Sequence, residues 1–171
     1  MNQVGGPVIA VKDLTASERQ HIIRGWKRDE YIKLAPGYFI EREQYEDLSR
    51  EDQITARIVA HACSAETTVV VGPSAAHLWQ MPVAADNETL ARQPVNLAST
   101  TMRPRKTTRV RYRKIGRPHE GCVVELSTDF GTVRVTDQLT TALDLARWAT
   151  LDDAVRALDD GLQQETFTVD E

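Results

Sequence analysis

Apolar residues recur along this chain in two rhythms, every third or fourth position in some stretches and every second position in others, and these mark helices and strands. Ile22, Ile23 and Trp26 supply a helical stripe through residues 14–27, with Thr15 or Ser17 as N-cap. Val8 to Val11, ahead of it, is a short strand candidate. From Tyr31 the rhythm changes: Ile32 and Leu34 alternate with Lys33, Ala35-Pro36-Gly37 turns the chain, and Tyr38-Phe39-Ile40 returns it. A helix followed by a basic hairpin is the order of a recognition helix and its wing. An acidic connector, 41–52, comes next, and within it Ser49 and Asp52 form a capping pair for a helix through Ile54, Ile58 and Ala62.

The β-branched run Thr67 to Val71 predicts a buried strand, which Gly72-Pro73-Ser74 turns into a short helix, Ala75 to Gln80, ended by Pro82. Ala84 to Gln93 reads as a polar, exposed loop. Val95 to Ser99, Arg109 to Lys114, Cys122 to Leu126 and Gly131 to Val135 are the remaining strand candidates. Leu139, Ala142, Leu143 and Ala146 then mark one helix. Thr150 with Asp153 caps another, whose stripe is Leu151, Ala154, Val155, Leu158 and Leu162. The expected fold is α+β: a shortened winged-helix-like region over 1–48, then a small α/β domain over 49–171 with a mixed sheet, a basic strand and two C-terminal helices.

At 171 residues, 41% apolar and 27% charged, the chain is long enough to bury a sizeable core as one domain or two small ones. It has no run of 18 apolar residues, and its N-terminus lacks the layout of a signal peptide, so a cytoplasmic protein without membrane partners is expected. Cys63 and Cys122 have no His or Cys companions at ligand spacing, which argues against zinc or a disulfide framework and for two small core residues.

Charge changes this picture more than composition does. Eight of the 21 basic residues lie between Arg103 and Arg117, with no acid among them, and the other 13 stand against 25 acidic ones. Such segregation points to an anionic partner, of which nucleic acid is the commonest. Within the cluster, Arg109, Arg111 and Arg113 alternate with Val110 and Tyr112, so a strand here sets the three arginines on one face and the apolar pair on the other. The functional reading gives Arg103, Arg105, Lys106, Arg109, Arg111, Arg113 and Lys114 to phosphates of double-stranded DNA. The bland reading pairs them with the acidic segments 41–52 and 151–171. Arg24, Lys27, Arg28 and Lys33, on the first helix and its hairpin, are the candidates for following a groove, and the alternative for them is an ordinary solvated face.

Other constellations favour structural roles. Ser74 and His77 lie three apart at a helix start, but Ser74 fits an N-cap and His77 has no orienting acid in sequence. Gly72-Pro73-Ser74 lacks the glycines and the lysine of a phosphate loop. Asp144 and Arg147 fit a local pair. Asp152, Asp153, Asp159 and Asp160 fit a solvated helix face that is also suited to a basic partner protein, and Trp26, Trp79 and Trp148 fit core or seam anchors. No catalytic group, cofactor or metal is expected.

Three stretches, in this order, resemble the AbiEi-type antitoxin and transcriptional-regulator family. They are Leu34-Ala35-Pro36-Gly37-Tyr38-Phe39, similar to a wing-closing segment; 71–82, similar to a Ser-Ala-Ala helix leading into an apolar loop; and 135–147, similar to a Thr-Ala-x-Asp-x-Ala-Arg helix after a strand. Order and separations match over roughly residues 15 to 162. The resemblance implies a winged-helix DNA-binding part, an α/β part behind it, repression of a promoter and, in toxin–antitoxin pairs, a nucleotidyltransferase-like toxin as partner. A homodimer on DNA is a further candidate assembly. The segment before Leu14 is short, so the first helices of the winged helix are expected absent or shortened. Ala35-Pro36 stands where relatives tend to be basic, and the resemblance includes none of the nuclease-like domain that longer relatives carry. An interaction module that binds a toxin or another protein without touching DNA is the alternative.

Overall fold

The computed structural model describes residues 2–65, 67–84, 86–99, 105–114 and 121–166, with Arg105 and Lys114 entering as backbone positions. Strands β1 (Gln3–Val4) and β2 (Ile9–Ala10) lead through a 3-10 turn, Val11–Asp13, to helix α1 (Ala16–Lys27) and the hairpin β3 (Tyr31–Ala35) and β4 (Tyr38–Glu41). Helices α2 (Arg42–Asp47) and α3 (Arg50–Cys63) follow, then β5 (Val69–Val70), α4 (Gly72–Leu78), α5 (Asn87–Arg92), β6 (Val95–Ser99), β7 (Arg105–Lys106) and β8 (Val110–Lys114). The chain continues through β9 (Val123–Thr128), β10 (Gly131–Thr136) and two C-terminal helices, α6 (Gln138–Trp148) and α7 (Leu151–Gln163). The fold is α+β with a mixed sheet.

Thr15 caps α1 in a full capping box: its hydroxyl accepts from the Glu18 amide, and the Glu18 carboxylate accepts from Thr15 N–H at 2.8 Å. Inside that helix Gly25 is buried, and a Cβ there would stand 2.6 Å from the Tyr31 ring, so the position requires glycine. The bare backbone lets α1 lie close on β3. A small sheet, β2-β4-β3, carries α1 on one side, where Ile22, Tyr31 and Phe39 pack together. Its other side, with Leu34, Ala35, Tyr38 and Ile40, merges with Ile54, Ile58 and Val59 of α3 into the main core. The hairpin is thus buried on both faces, and its Tyr38 hydroxyl donates to the Cys63 carbonyl at 2.8 Å.

The larger sheet runs β10-β5-β6-β8-β7, with β1 and β5 sharing one side of β10 and β9 on the other. Val70, Val95, Leu97, Val110, Val133 and Val135 face α3 in the main core. Val69, Val71 and Ala98 face the opposite way, toward Trp148. That core joins residues on both sides of position 48, and Asn2 ties the first strand in further: its Nδ2 donates to the Ala62 and Thr68 carbonyls, and its Oδ1 accepts from Arg134 N–H.

Several elements differ from the sequence expectation. The acidic connector contains α2, and the polar loop contains α5, capped by Asp86, whose carboxylate accepts from Thr89 N–H. Ser74 is inside α4, not its N-cap; Val71 holds that position. Cys63 is buried as expected, whereas Cys122 is half-buried. Helix α7 splits its apolar stripe, because Ala154, Ala157 and Gly161 turn inward while Leu151, 73% exposed, Val155 and Leu162 stay outside. Small side chains let α7 approach α6 closely and leave the large aliphatics unburied. Among the described residues, no helix is long and apolar enough to cross a membrane.

Candidate nucleic-acid interface

Basic side chains gather at two places. Arg24 and Lys27 on α1 and Arg28, its C-cap, fall at i, i+3 and i+4, hence on one side of the helix end; all three are exposed, and none makes an ion pair with another described residue. Lys33 stands differently. It is half-buried on β3 with its ammonium 5.2 Å from the Trp26 ring and 6.0 Å from the Phe39 ring, so much of its charge is directed at aromatic faces. Trp26 itself is 41% exposed and meets Phe39 edge-on at 6.0 Å. It lies on the surface beside the basic face, and the expected core anchor is not found here.

The second group lies at the sheet edge opposite β9. Lys106 on β7 and Arg109, just before β8, are exposed. Arg105 and Lys114 occupy strand positions on β7 and β8, and Arg103 lies outside the described residues. Val110 is buried and Tyr112 packs against the main core, as alternation requires. The other face of β8 is not open, however. Parallel pairing sets Arg111 beside Asn96 and Arg113 beside Ala98, on the side where Trp148 and the C-terminal helices pack. The small Ala98 leaves room for the Arg113 guanidinium, which lies 4.9 Å from the Trp148 ring. Burial, then the neighbouring Arg111 charge, lower the Arg113 pKa, while Asp144 acts the other way. The arginine row therefore divides: Arg109 faces solvent, Arg111 borders a cleft, and Arg113 is half-buried against Trp148.

That cleft, of about 490 Å³, lies between β6, β8 and the α6–α7 turn, and its walls include Pro73, Asn96, Arg111, Trp148, Thr150 and Asp153. Asp153 does not sit on a solvated face. It is buried, with its carboxylate accepting from Thr150 Oγ1–H and Ala84 N–H, both at 2.6 Å. Burial opposes its ionisation, but these hydrogen bonds outweigh that and hold its pKa below the ordinary value. Nothing in the sequence reading selected Asn96 or this cleft. The available signal was a lone amide within the apolar run Val95 to Ala98.

The remaining candidates are engaged elsewhere. Ser74 Oγ accepts from Asn96 N–H at 2.9 Å, and His77 Nε2 lies 3.0 Å from Thr55 Oγ1, so the two do not form a nucleophile and base. Burial lowers the His77 pKa. Asp144, 0% exposed, lies 3.6 Å from Arg147 across one helical turn. Trp79 does act as a seam anchor, donating its indole N–H to the Thr136 carbonyl at 2.8 Å. Among the described residues no group of three or more His, Cys, Asp or Glu could hold a metal. No protein-family model matches the chain, and no curated protein matches it significantly.

Proposed function

We propose that this protein is a non-enzymatic, cytoplasmic DNA-binding regulator of the AbiEi-like type, the antitoxin of a pair that represses its own promoter. The exposed face of Arg24, Lys27 and Arg28 carries the reading, because α1 precedes a hairpin in the order of a recognition helix and wing. Lys106 and Arg109 add exposed positive charge at the edge of the larger sheet. The likeness of segments 34–39, 71–82 and 135–147 to that family supports the antitoxin role. With the hairpin buried on both faces, α1 supplies the groove contact and the wing adds little.

Replacing Arg24, Lys27 and Arg28 together by alanine lowers affinity for the chain's own promoter at least tenfold and reduces the salt slope, log K against log salt, by about 2 to 3. Anisotropy titrations between 50 and 200 mM salt measure both. An unchanged slope in a folded variant sinks the reading.

The alternative, a partner-protein module without DNA binding, draws on a specific observation: Leu151, Val155, Leu158 and Leu162 follow 4-3-4 spacing along α7, beside exposed Asp152 and Asp159. An acid-edged aliphatic stripe suits a basic amphipathic helix of a toxin. If Leu151→Glu with Val155→Glu abolishes co-purification with the product of a neighbouring nucleotidyltransferase gene while promoter binding is absent in the parent protein, this reading replaces the first.

A further inference from the structure

We propose that the cleft between β8 and the α6–α7 turn is a binding site for a single nucleotide, a planar base with its phosphate, supplied free or as an unpaired residue of a strand. The inference goes beyond the DNA reading above and does not need it, since α1 and this cleft use different residues.

Its first support is the direction in which the basic strand spends its charge. Arg111 belongs to the most basic segment of the chain, yet it is half-buried and lines the cleft from within. No described residue forms an ion pair with it. A half-buried guanidinium in a cleft is better placed for a nucleotide that has left a base stack than for the smooth backbone of a duplex. A single nucleotide does reach it. The cleft's volume, about 490 Å³, falls in the ~300–1,000 Å³ range of small-ligand sites.

The second support is the polar chemistry of the walls. Asn96 stands directly beside Arg111 in the sheet register, is only 4% exposed, and its Oδ1 has no hydrogen-bond partner among the described residues. Nδ2 of the same amide donates to the Pro94 carbonyl at 3.2 Å, which fixes the carbonyl oxygen as the acceptor left over. A buried acceptor without a donor is destabilising, and binding sites are where such groups find partners. Asp153 adds a second acceptor on the opposite wall, each of its oxygens already receiving one hydrogen bond and able to receive another. One guanidinium for a phosphate and two acceptors for the N–H groups of a base edge make a nucleotide's pattern of charge. An apolar molecule would leave all three unanswered, and a bare phosphate would face the Asp153 carboxylate without using the Asn96 carbonyl.

The third support is the aromatic wall. Trp148 closes the α6 end of the cleft, and Arg113 and Gly72 brace it. Gly72 has φ of +53°, and a Cβ there would stand 3.0 Å from Trp148 Cε3. The indole is held in place before any ligand arrives, which lowers the ordering cost of packing a planar base against it.

Calorimetric titration of the full-length protein and of Arg111→Ala and Arg111→Lys variants with GMP, CMP, inorganic phosphate and a single-stranded 12-mer tests this. The expected result is saturable binding of a mononucleotide, at least tenfold weaker in Arg111→Ala and largely restored in Arg111→Lys. In a 15N–1H spectrum the Trp148 indole signal, identified by its loss in Trp148→Phe, then shifts with saturation. Binding of the 12-mer but not of mononucleotides, with the same Arg111 dependence and Trp148 shift, supports the strand as the source. Phosphate binding as well as a nucleotide, or no ligand moving the Trp148 signal, overturns the proposal. Loss of promoter binding in the α1 triple variant with nucleotide binding intact separates failure of one reading from failure of the other.

Discussion

Replacing Arg57 by methionine is expected to lower the melting temperature by roughly 10 °C, a loss of about 3 kcal/mol for a domain of this size. Arg57 is a half-buried cation on α3 whose guanidinium holds the end of α5: it donates to the Leu90, Ala91 and Gln93 carbonyls, the first at 3.0 Å and the last at 3.1 Å. The Ala91 carbonyl lies too near the end of α5 for any later helix amide to reach it, while the Leu90 carbonyl also accepts from Gln93 N–H at 3.2 Å. Methionine keeps the volume and removes every donor. Burial lowers the Arg57 pKa, yet an arginine remains charged at neutral pH, so the interaction is a charge-assisted one. The consequence reaches the cleft, because Gln93 and Pro94 connect α5 to β6 and line it. Thermal denaturation followed by circular dichroism measures the shift. Arg92→Ala, an exposed position on the same helix, is the control and is expected to change stability by no more than ~0.5 kcal/mol. If both variants melt alike, the carbonyl clamp is not what holds α5.

Arg57 also shows why part of this fold was legible in sequence and part was not. Helices α1, α3 and α6 announce themselves through apolar spacing, and α1 and α3 also through caps at Thr15 and Ser49, all local signals. Helix α5 has a cap at Asp86 but too few apolar positions, and its end depends on an arginine more than thirty residues earlier. Tertiary hydrogen bonds of that kind leave no periodic trace. The basic strand is a subtler case. Alternation correctly sets Arg111 and Arg113 opposite Val110 and Tyr112, but period alone cannot say whether a second face is open. Here α6 brings Trp148 over it, and only Arg109, ahead of the strand, stays outside. Helix α7 makes the same point in reverse: its stripe was visible, but close helix packing selected the alanines for the interior, half-buried Leu158 and left Leu151, Val155 and Leu162 out.

Acid is expected to weaken the protein well above the range where carboxylates titrate, by about 2 kcal/mol between pH 7 and pH 5. His61 on α3 is 3% exposed, its Nε2 has no hydrogen-bond partner among the described residues, and its pKa is pushed down to about 4, by burial first and then by the Arg57 and Arg109 charges. A histidine with a folded pKa below its unfolded value of 6.5 contributes stability that is fully present above 6.5. That contribution falls as protons bind the unfolded chain, and it is lost as pH drops through the folded value. His77 is lowered as well and acts in the same direction. Urea denaturation at pH 7, 6 and 5 gives the slope directly. In His61→Leu, which cannot take up a proton, the larger part of the pH 7 to 5 loss disappears while stability at pH 7 changes less. An identical slope in wild type and variant would assign the acid sensitivity to other groups. The arrangement also links this histidine to the basic edge, because Arg109 is one of the two cations holding it neutral. Arg109→Ala therefore raises the His61 pKa and makes the acid loss shallower. A small shallowing in Arg109→Ala and loss of the larger part of the slope in His61→Leu would identify burial as the main cause and the neighbouring arginines as the lesser one.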